Sequence, residues 1–249
     1  MHLEELKTEL KRPSLNVLLL VESGSQIFGW NGPDSDEDVR GVYLDPFEKA
    51  MALHPGKDCI VENPTDKIWD LQLFELKKYL GQLIKPNFSM IEWANSAIRY
   101  HAAPGFREEV LEIAQECICR KLGSHARGWS YSMHKMDWGD PKKCLMALRP
   151  LMVYNNLLET GVWESNIRVL SKSADNNLQK LIDSLLEARM ASEKTSTSLK
   201  IWTGNQHDDL KARSYVLEDM KELRKTPTKR AYELANNMLL RMRAQSISH

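Results

Sequence analysis

The sequence predicts an α+β protein, with a mixed-sheet portion over residues 1–105 and an all-helical portion over residues 106–249. Two observations support this division. Short apolar runs bounded by turn-forming residues, the pattern of buried strands, are concentrated before residue 105. After that residue, apolar side chains recur at the three- and four-residue spacing of amphipathic helices.

The first two strands are predicted from a buried run and from an alternating segment. Residues 17–21 (VLLLV) are continuously apolar with valine at both ends, which is typical of a buried strand. Gly24 then permits a tight turn, and residues 31–34 (NGPD) are a strong turn signal. The chain resumes as a strand over residues 37–45, with alternate side chains on one face.

A third extended piece and a helix complete the sheet portion. Residues 66–72 (DKIWDLQ) read as extended chain, and apolar residues from Leu73 to Ile84 then follow helical spacing. This helix is predicted to end before Pro86, because the residue before a proline disfavours helical backbone.

Helices are predicted throughout the second portion. They cover residues 106–122 with Gly123 as the stop, residues 142–161 kinked or divided by Pro150, residues 175–191 followed by a polar linker at 191–198, and a last helix starting at Thr226-Pro227.

The composition argues against a membrane protein, a secreted protein and a structural zinc site. The 249 residues are 42% hydrophobic, and no segment approaches the ~18 consecutive apolar residues that a membrane span needs. The N-terminus is charged and lacks the apolar region of a secretory signal. The four cysteines form no C-x-x-C pair, so reduced thiols and a cytoplasmic location are expected.

Charge is unevenly distributed along the chain. Residues 1–70 contain fourteen Asp or Glu and seven Lys or Arg, and because the formal charge of the whole chain is zero, the remainder carries +7. A local basic surface is the usual electrostatic feature of a protein that binds phosphates. The alternative is an ordinary solvated helical surface.

Acidic residues are crowded around the second predicted strand. On a strand, Asp36 and Asp38 project to the same side with Cα atoms roughly 6–7 Å apart. Two carboxylates so placed suit Mg²⁺, which takes a few carboxylates together with phosphate and water oxygens. Two-metal phosphoryl-transfer sites hold their ions ~3.5–4 Å apart and need further ligands. Asp70, in the third extended piece, is the candidate for a third carboxylate.

A Gly-Ser turn precedes this acidic pair. Gly24 and Ser25 come directly after the buried strand, where backbone N–H groups and a hydroxyl can hold phosphate oxygens. Each feature alone is usually structural, since short D-x-D stretches are common in surface turns. Together, in this order and each beside a strand, they predict a site for a nucleoside triphosphate and magnesium.

These residues resemble a known family. Gly24-Ser25 followed by Asp36-x-Asp38 resembles the signature of the DNA polymerase β superfamily of nucleotidyltransferases. More narrowly, ESGSQIFGWNGPDSDEDVRGVY is similar to the predicted nucleotidyltransferases associated with RNA repair in bacteria and large bacteriophages. The segments DLQLFELKKYLGQLIKPNFSMIEW and KKCLMALRPLMVYNNLLETG extend the similarity over residues 15–165.

The resemblance implies a polymerase β-like catalytic domain over residues 1–105 and a helical domain over residues 106–249 that completes the nucleotide and acceptor cleft. Asp36, Asp38 and Asp70 would be the catalytic residues and would bind two Mg²⁺ ions, with Mn²⁺ as a substitute. Asp70 would also help to deprotonate and orient the acceptor hydroxyl.

The resemblance also implies binding residues. Arg40 either neutralises the aspartates or contacts the triphosphate. Lys142 and Lys143, at the start of the second predicted helix, either bind pyrophosphate or are ordinary surface charges. Asn87 is equally suited to capping a helix. The expected nucleotide-binding residues are Gly24, Ser25, Arg40, Lys142, Lys143 and Arg149, and the expected acceptor-binding residues are Lys85 and Asn87.

The implied function is transfer of a nucleoside monophosphate from an NTP, with ATP favoured, to an acceptor hydroxyl with release of pyrophosphate. The preferred acceptor is an RNA 3′-end, tRNA-like in particular. Two alternatives stay open: an enzyme that adenylylates a protein hydroxyl, and a catalytically silent nucleotide-binding module. All three expected carboxylates are present, which argues against the silent module.

Overall fold

The computed structural model describes residues 3–32, 35–62, 69–134 and 139–246. Within these residues the strands are β1 (Asn16–Ser23), β2 (Glu37–Leu44), β3 (Cys59–Glu62), β4 (Trp69–Glu75) and β5 (Arg99–Ala102). The helices are α1 (Leu3–Glu9), α2 (Ser25–Phe28), α3 (Phe47–Met51), α4 (Leu76–Leu83), α5 (Phe88–Asn95), α6 (Phe106–Glu116), α7 (Arg120–His134), α8 (Pro141–Thr160), α9 (Ile167–Lys172), α10 (Asn176–Met190), α11 (Thr197–Met220) and α12 (Lys229–Gln245).

The strands form one mixed sheet in the order β3-β4-β2-β1-β5. Strands β2 and β4 are parallel, and the other neighbouring pairs are antiparallel. This sheet, followed by a long helical region, confirms the predicted α+β class. None of the helices in the described ranges is long and apolar enough to cross a membrane.

The predicted strands are present because their side chains fill the core. Strand β1 is buried along nearly its whole length, since it lies between β2 and β5 in the sheet. Residues 33 and 34 of the predicted turn, and residues 66–68 of the predicted third extended piece, lie outside the described residues. The sheet packs a core cluster of Leu6, Val17, Leu20, Val39, Tyr43, Ile60, Trp69, Leu71 and Leu73.

By its internal contacts the chain divides into two compact units. The sheet unit comprises Met1–Ile27, Ser35–Ile118 and Thr226–His249, and the helical unit comprises Phe28–Asp34 and Cys119–Lys225. The C-terminal helix α12 therefore belongs to the unit that contains the sheet. The predicted functional domains, 1–105 and 106–249, divide the chain at a different place and stay a prediction.

Helix α12 is attached to α6 by polar contacts. Thr228 caps α12 by accepting a hydrogen bond from Ala231 N at 3.1 Å, and its hydroxyl donates to Glu116 Oε2 at 2.6 Å. Arg241 Nη2 lies 2.6 Å from Glu109 Oε2. The helix thus begins two residues later than the predicted Thr226-Pro227 start, because Thr228 supplies the capping oxygen.

The helical unit is built around α8. Fourteen of its twenty residues are buried, because α7, α10 and α11 all pack against it. Pro150 lies inside α8 without dividing it. The helix is continuous from its N-cap Asp140 to Gly161, which ends it in the left-handed region at φ 76°.

Two further sequence predictions were wrong about element boundaries. Gly123 lies inside α7 rather than at a helix end. The position requires glycine for another reason, because a Cβ there would come within 2.1 Å of Glu218 Oε1 and 2.6 Å of the Tyr154 ring. Leu73 belongs to β4 rather than to the following helix, since it pairs with Gly41 on one side. Tertiary contacts decide both positions.

Candidate active site

Asp38 and Asp70 lie side by side at the N-terminal ends of two parallel strands. The register of β2 against β4 pairs these two residues directly. Their side chains are 29% and 36% exposed, so both carboxylates are accessible from solvent. Carboxylates that face each other repel unless a positive charge lies between them.

Arg40 supplies that positive charge. Its Nη2 donates to Asp38 Oδ1 at 2.9 Å and to Asp70 Oδ2 at 2.8 Å, and its Nη1 donates to the Asp70 carbonyl at 2.7 Å. The guanidinium therefore bridges the two carboxylates. Of the two roles left open for Arg40, neutralisation of the aspartates is present, and contact with the triphosphate stays a prediction.

Gly24 lies directly against Asp38. A Cβ at Gly24 would come within 1.7 Å of Asp38 Oδ2, and the residue adopts φ +65°, a backbone region that glycine enters without strain. The turn follows β1, whose Ser23 pairs with Asp38 in the sheet. Ser25 is buried and begins the short helix α2. The predicted juxtaposition of the Gly-Ser turn with the acidic strand is therefore present at Gly24.

Glu22 and Tyr100 lie behind Asp38 and were missed by the sequence analysis. The Glu22 carboxylate is fully buried and accepts a hydrogen bond from Asp38 N at 2.8 Å. The Tyr100 hydroxyl donates to the other Glu22 oxygen. Burial raises the pKa of Glu22, while these hydrogen bonds oppose the rise. The sequence did contain a signal for Glu22, because this glutamate directly follows the apolar run of β1.

Asp36 differs from the other two aspartates. It is exposed and lies one residue before β2 rather than within it. Across the ranges that the structure describes, no group of three or more His, Cys, Asp or Glu residues is arranged to hold a metal ion. Two of the three predicted carboxylates are thus brought together, and the metal-binding role of all three stays a prediction.

Lys85 and Asn87, predicted to contact the acceptor, follow α4 in the sheet unit. Asn87 caps α5, because its side-chain oxygen accepts from Ser89 N at 3.0 Å. Lys85 is exposed. The capping role of Asn87 is therefore present, and an acceptor role for either residue stays a prediction.

The three cations predicted to bind pyrophosphate lie on α8, in the helical unit. Lys142 and Lys143 are in its first turn, where Asp140 accepts from Lys142 N at 2.8 Å. Lys142 is exposed and Lys143 is half-buried. Arg149 follows two turns later on α8 and is 1% exposed.

Aromatic rings surround the buried Arg149 guanidinium. Its central carbon lies 3.5 Å from the centroid of the Phe28 ring, 5.6 Å from that of Trp129 and 6.0 Å from that of Trp30. Ring faces attract a cation and lower the cost of burying its charge. Phe28, Trp30 and Trp129 were not predicted here, because residues distant in sequence form this cluster.

The residues around Asp38 suit a divalent cation. Asp38 and Asp70 present two adjacent carboxylates whose charge already attracts the Arg40 guanidinium. Gly24 lacks the side chain that would fill the space beside Asp38 Oδ2. Magnesium in phosphoryl-transfer sites takes one or two carboxylates plus phosphate and water oxygens, so a pair of carboxylates is sufficient.

Comparison with known protein families identifies a family that matches nearly the whole chain. The model of the "RNA repair pathway DNA polymerase beta family" matches residues 1–241. That range contains the paired aspartates, the Gly-Ser turn and both compact units almost entirely.

The chain is also similar to two proteins named as uncharacterized and to one solved structure. An uncharacterized protein of Methanocaldococcus jannaschii is 30% identical over 189 residues, which cover 74% of this chain and 76% of that protein. An uncharacterized protein of Bacillus subtilis is 24% identical over 254 residues, covering 96% and 94%. The crystal structure of a nucleotidyltransferase-like protein from Exiguobacterium sibiricum matches 92% of this chain and 81% of its own, at 14% identity and a TM-score of 0.31.

Proposed function

The chain belongs to the RNA repair pathway DNA polymerase beta family, a family of nucleotidyltransferases. We therefore propose that it transfers a nucleoside monophosphate from an NTP to an RNA hydroxyl. The proposed acceptor is a tRNA-like 3′-end, the favoured NTP is ATP and the metal is Mg²⁺. The observation that carries the proposal is the meeting of Gly24, Asp38 and Asp70 around Arg40.

The carboxylates have two proposed tasks. Asp38 and Asp70, with Asp36 beside β2, would hold Mg²⁺, which supplies Lewis-acid stabilisation of phosphoryl oxygens when bound. Asp70 would accept a hydrogen bond from the acceptor hydroxyl, orient it for in-line attack and take up its proton. Glu22 would keep Asp38 in position through the hydrogen bond to its backbone N–H.

The Gly-Ser turn and the cations are proposed to bind the triphosphate. Gly24 and Ser25 would hold the β- and γ-phosphates through backbone N–H groups and the Ser25 hydroxyl. The Arg40 guanidinium, which already bridges two anionic groups, has the planar donor geometry that suits phosphate oxygens.

The α8 cations are proposed to stabilise charge on the departing pyrophosphate. Lys142 and Lys143 present flexible ammonium groups near solvent, and Arg149 adds a positive charge held by aromatic rings. Such preorganised charges are a large contribution in phosphoryl transfer, because little covalent chemistry is required of the protein.

A labelling experiment tests the proposal. The full chain is incubated with each α-labelled NTP, Mg²⁺ and total cellular RNA or lysate, and wild type is compared with Asp38→Asn. Asp183→Asn, at an exposed position of α10, is the matched control. We expect label in RNA with wild type and with the control, and at least a hundredfold less with Asp38→Asn, on the order of the loss for a preorganised charged group.

The destination of the label separates the alternatives. Label in protein rather than RNA would support the adenylylating enzyme, and no label from any NTP would support the silent module. A cytoplasmic location is also proposed, because Cys59, Cys117, Cys119 and Cys144, all within the described residues, form no disulfide.

A further inference from the structure

A pocket lies at the opposite end of β2 and β4 from the paired aspartates. Asp45, which follows β2, and Glu75, the last residue of β4, both line it. Its volume is about 390 Å³, within the range of small-molecule sites. From Asp38 to Asp45 the strand spans seven residues, or roughly 23 Å at the rise of an extended chain, so this pocket is separate from the aspartate pair.

The acidic groups in the pocket wall are already neutralised. Asp45 pairs with Lys49 at 2.8 Å and Asp58 pairs with Lys78 at 2.7 Å. Glu75 pairs with Arg243 of α12. These three ion pairs consume all of the negative charge that the lining carboxylates contribute.

Three further lysines leave the pocket positively charged. Lys57, Lys77 and Lys85 line it, and all three are exposed. Within the described ranges, none of the ion pairs involves any of them. Three like charges converging on one concavity repel one another, so the arrangement favours an anionic occupant.

Gly81 keeps one wall of the pocket free of side-chain atoms. It lies inside α4, where glycine is less favourable than alanine. A Cβ at this position would meet no heavy atom within 4 Å, so no neighbouring protein group requires the glycine. Because Gly81 lines the pocket, its missing side chain keeps the wall open for a close approach to the helix backbone.

We propose that this pocket binds a phosphate group through Lys57, Lys77 and Lys85, against the open wall at Gly81. Lysine ammonium groups bind phosphate as point charges, and three of them are more than enough to neutralise a phosphate monoester, which carries about −1.5 to −2 at pH 7. The phosphate would come either from a small phosphorylated molecule or from an RNA strand. The proposal does not depend on Asp38, Asp70 or Arg40, and it places Lys85, predicted above to contact the acceptor, in this pocket.

Binding measurements on the full chain test the pocket. The probes are inorganic phosphate and a fluorescent 5′-phosphorylated RNA oligonucleotide, each titrated in EDTA so that metal-dependent nucleotide binding is absent. Wild type is compared with Lys57→Gln/Lys77→Gln/Lys85→Gln. The matched control replaces three exposed lysines of the helical unit, in Lys172→Gln/Lys180→Gln/Lys194→Gln.

We expect the pocket variant to bind its phosphate source about tenfold or more weakly, the value of one charge-assisted hydrogen bond. The control variant should keep most of the wild-type affinity. If RNA is the source, the salt dependence of RNA binding should also fall by about two in log–log slope for three lost contacts. Inorganic phosphate binding without RNA binding would identify a small molecule as the source.

Gly81→Ala provides the sharper test, because the substitution is expected to stabilise the fold and to weaken phosphate binding. The substitution should raise Tm by about 2 °C through helix propensity, while weakening phosphate binding. Gly204→Ala, at another open position inside α11, should raise Tm similarly and leave binding unchanged. Unchanged phosphate binding in both the lysine variant and Gly81→Ala, or stronger competition by a polyglutamate peptide than by phosphate, would overturn the proposal.

Discussion

At the scale of single residues, the proposed site depends on close approach and on burial. Gly24 permits Asp38 to lie where any side chain would collide with it. Arg40 holds Asp38 and Asp70 in a shared ion pair. Glu22 is buried behind them, where an ionised carboxylate is costly. The constraints at Gly24 and Glu22 each give a substitution with a defined expected effect.

Gly24→Ala should damage both stability and metal binding. The left-handed backbone of Gly24 costs about 1–2 kcal/mol for a residue with a Cβ, and the 1.7 Å clash forces Asp38 to move in addition. We expect a lower Tm in EDTA, and we expect the variant to lack the rise in Tm that the proposed Mg²⁺ binding should cause in wild type.

Gly161→Ala separates the two causes. Gly161 has a similar φ of +76°, and a Cβ there would meet no atom within 4 Å. It should lower Tm through the backbone alone and keep the Mg²⁺ response. Loss of that response in both variants would show that the contact with Asp38 is irrelevant.

Glu22→Gln should change how stability depends on pH. The pKa of Glu22 is raised in the folded chain. At pH values above the ordinary glutamate pKa of 4.5, the folded state therefore binds more protons at Glu22 than the unfolded state does. The contribution of Glu22 to stability is therefore complete below pH 4.5 and is lost as pH rises through its folded pKa.

Unfolding in EDTA, measured from acid to neutral pH, checks this expectation. The stability of wild type relative to Glu22→Gln should fall steadily as pH increases and then level off. A difference that grows with pH would mean that the pKa of Glu22 is lowered rather than raised.

At the scale of elements, the C-terminal helix holds the ends of the central strands. Arg243 of α12 donates to the Asp45 carbonyl at 2.7 Å and forms an ion pair with Glu75. Both side chains of that pair are largely buried, at 11% and 7% exposure. A helix from the end of the chain thus fastens the strands that carry Asp38 and Asp70.

Arg243→Met should therefore be strongly destabilising. It leaves the Glu75 carboxylate buried without its cation, and breaking such a pair costs about 3–5 kcal/mol. Arg241→Met, which removes the exposed pair with Glu109 from the same helix, should cost about 1 kcal/mol or less. Urea unfolding of both variants measures the contrast, and equal costs would show that burial of the Glu75 pair is unimportant.

At the scale of the whole molecule, the chain forms two compact units that are both discontinuous in sequence. Charge is also segregated, because residues 1–70 carry −7 and the rest carries +7. The basic part of the chain is the part expected to meet the phosphates of an RNA substrate.

RNA binding should accordingly weaken steeply with salt. With three or more phosphate contacts, the log–log slope of affinity against salt concentration is about −2 or steeper for a single strand. Fluorescence anisotropy over a salt series measures this slope. A slope near zero would exclude phosphate recognition and favour a protein acceptor.

The sequence by itself determined the local elements and the chemical character of the site. The apolar run of β1, the alternating segment of β2 and the helix α10 all follow from periodicity, which acts over a few residues. The Gly-Ser turn and the acidic strand, whose residues are close in sequence, predicted the family that the comparison confirmed.

Tertiary structure alone decided which distant residues meet. The Tyr100 hydroxyl on Glu22, the Phe28 and Trp129 rings around Arg149, and the inclusion of α12 in the sheet unit join segments that are far apart in the chain. Local patterns carry no information about such partners, because strand order and helix packing depend on how the whole core is filled. The same reason explains why the lysine pocket beside Gly81 was visible only in the folded chain.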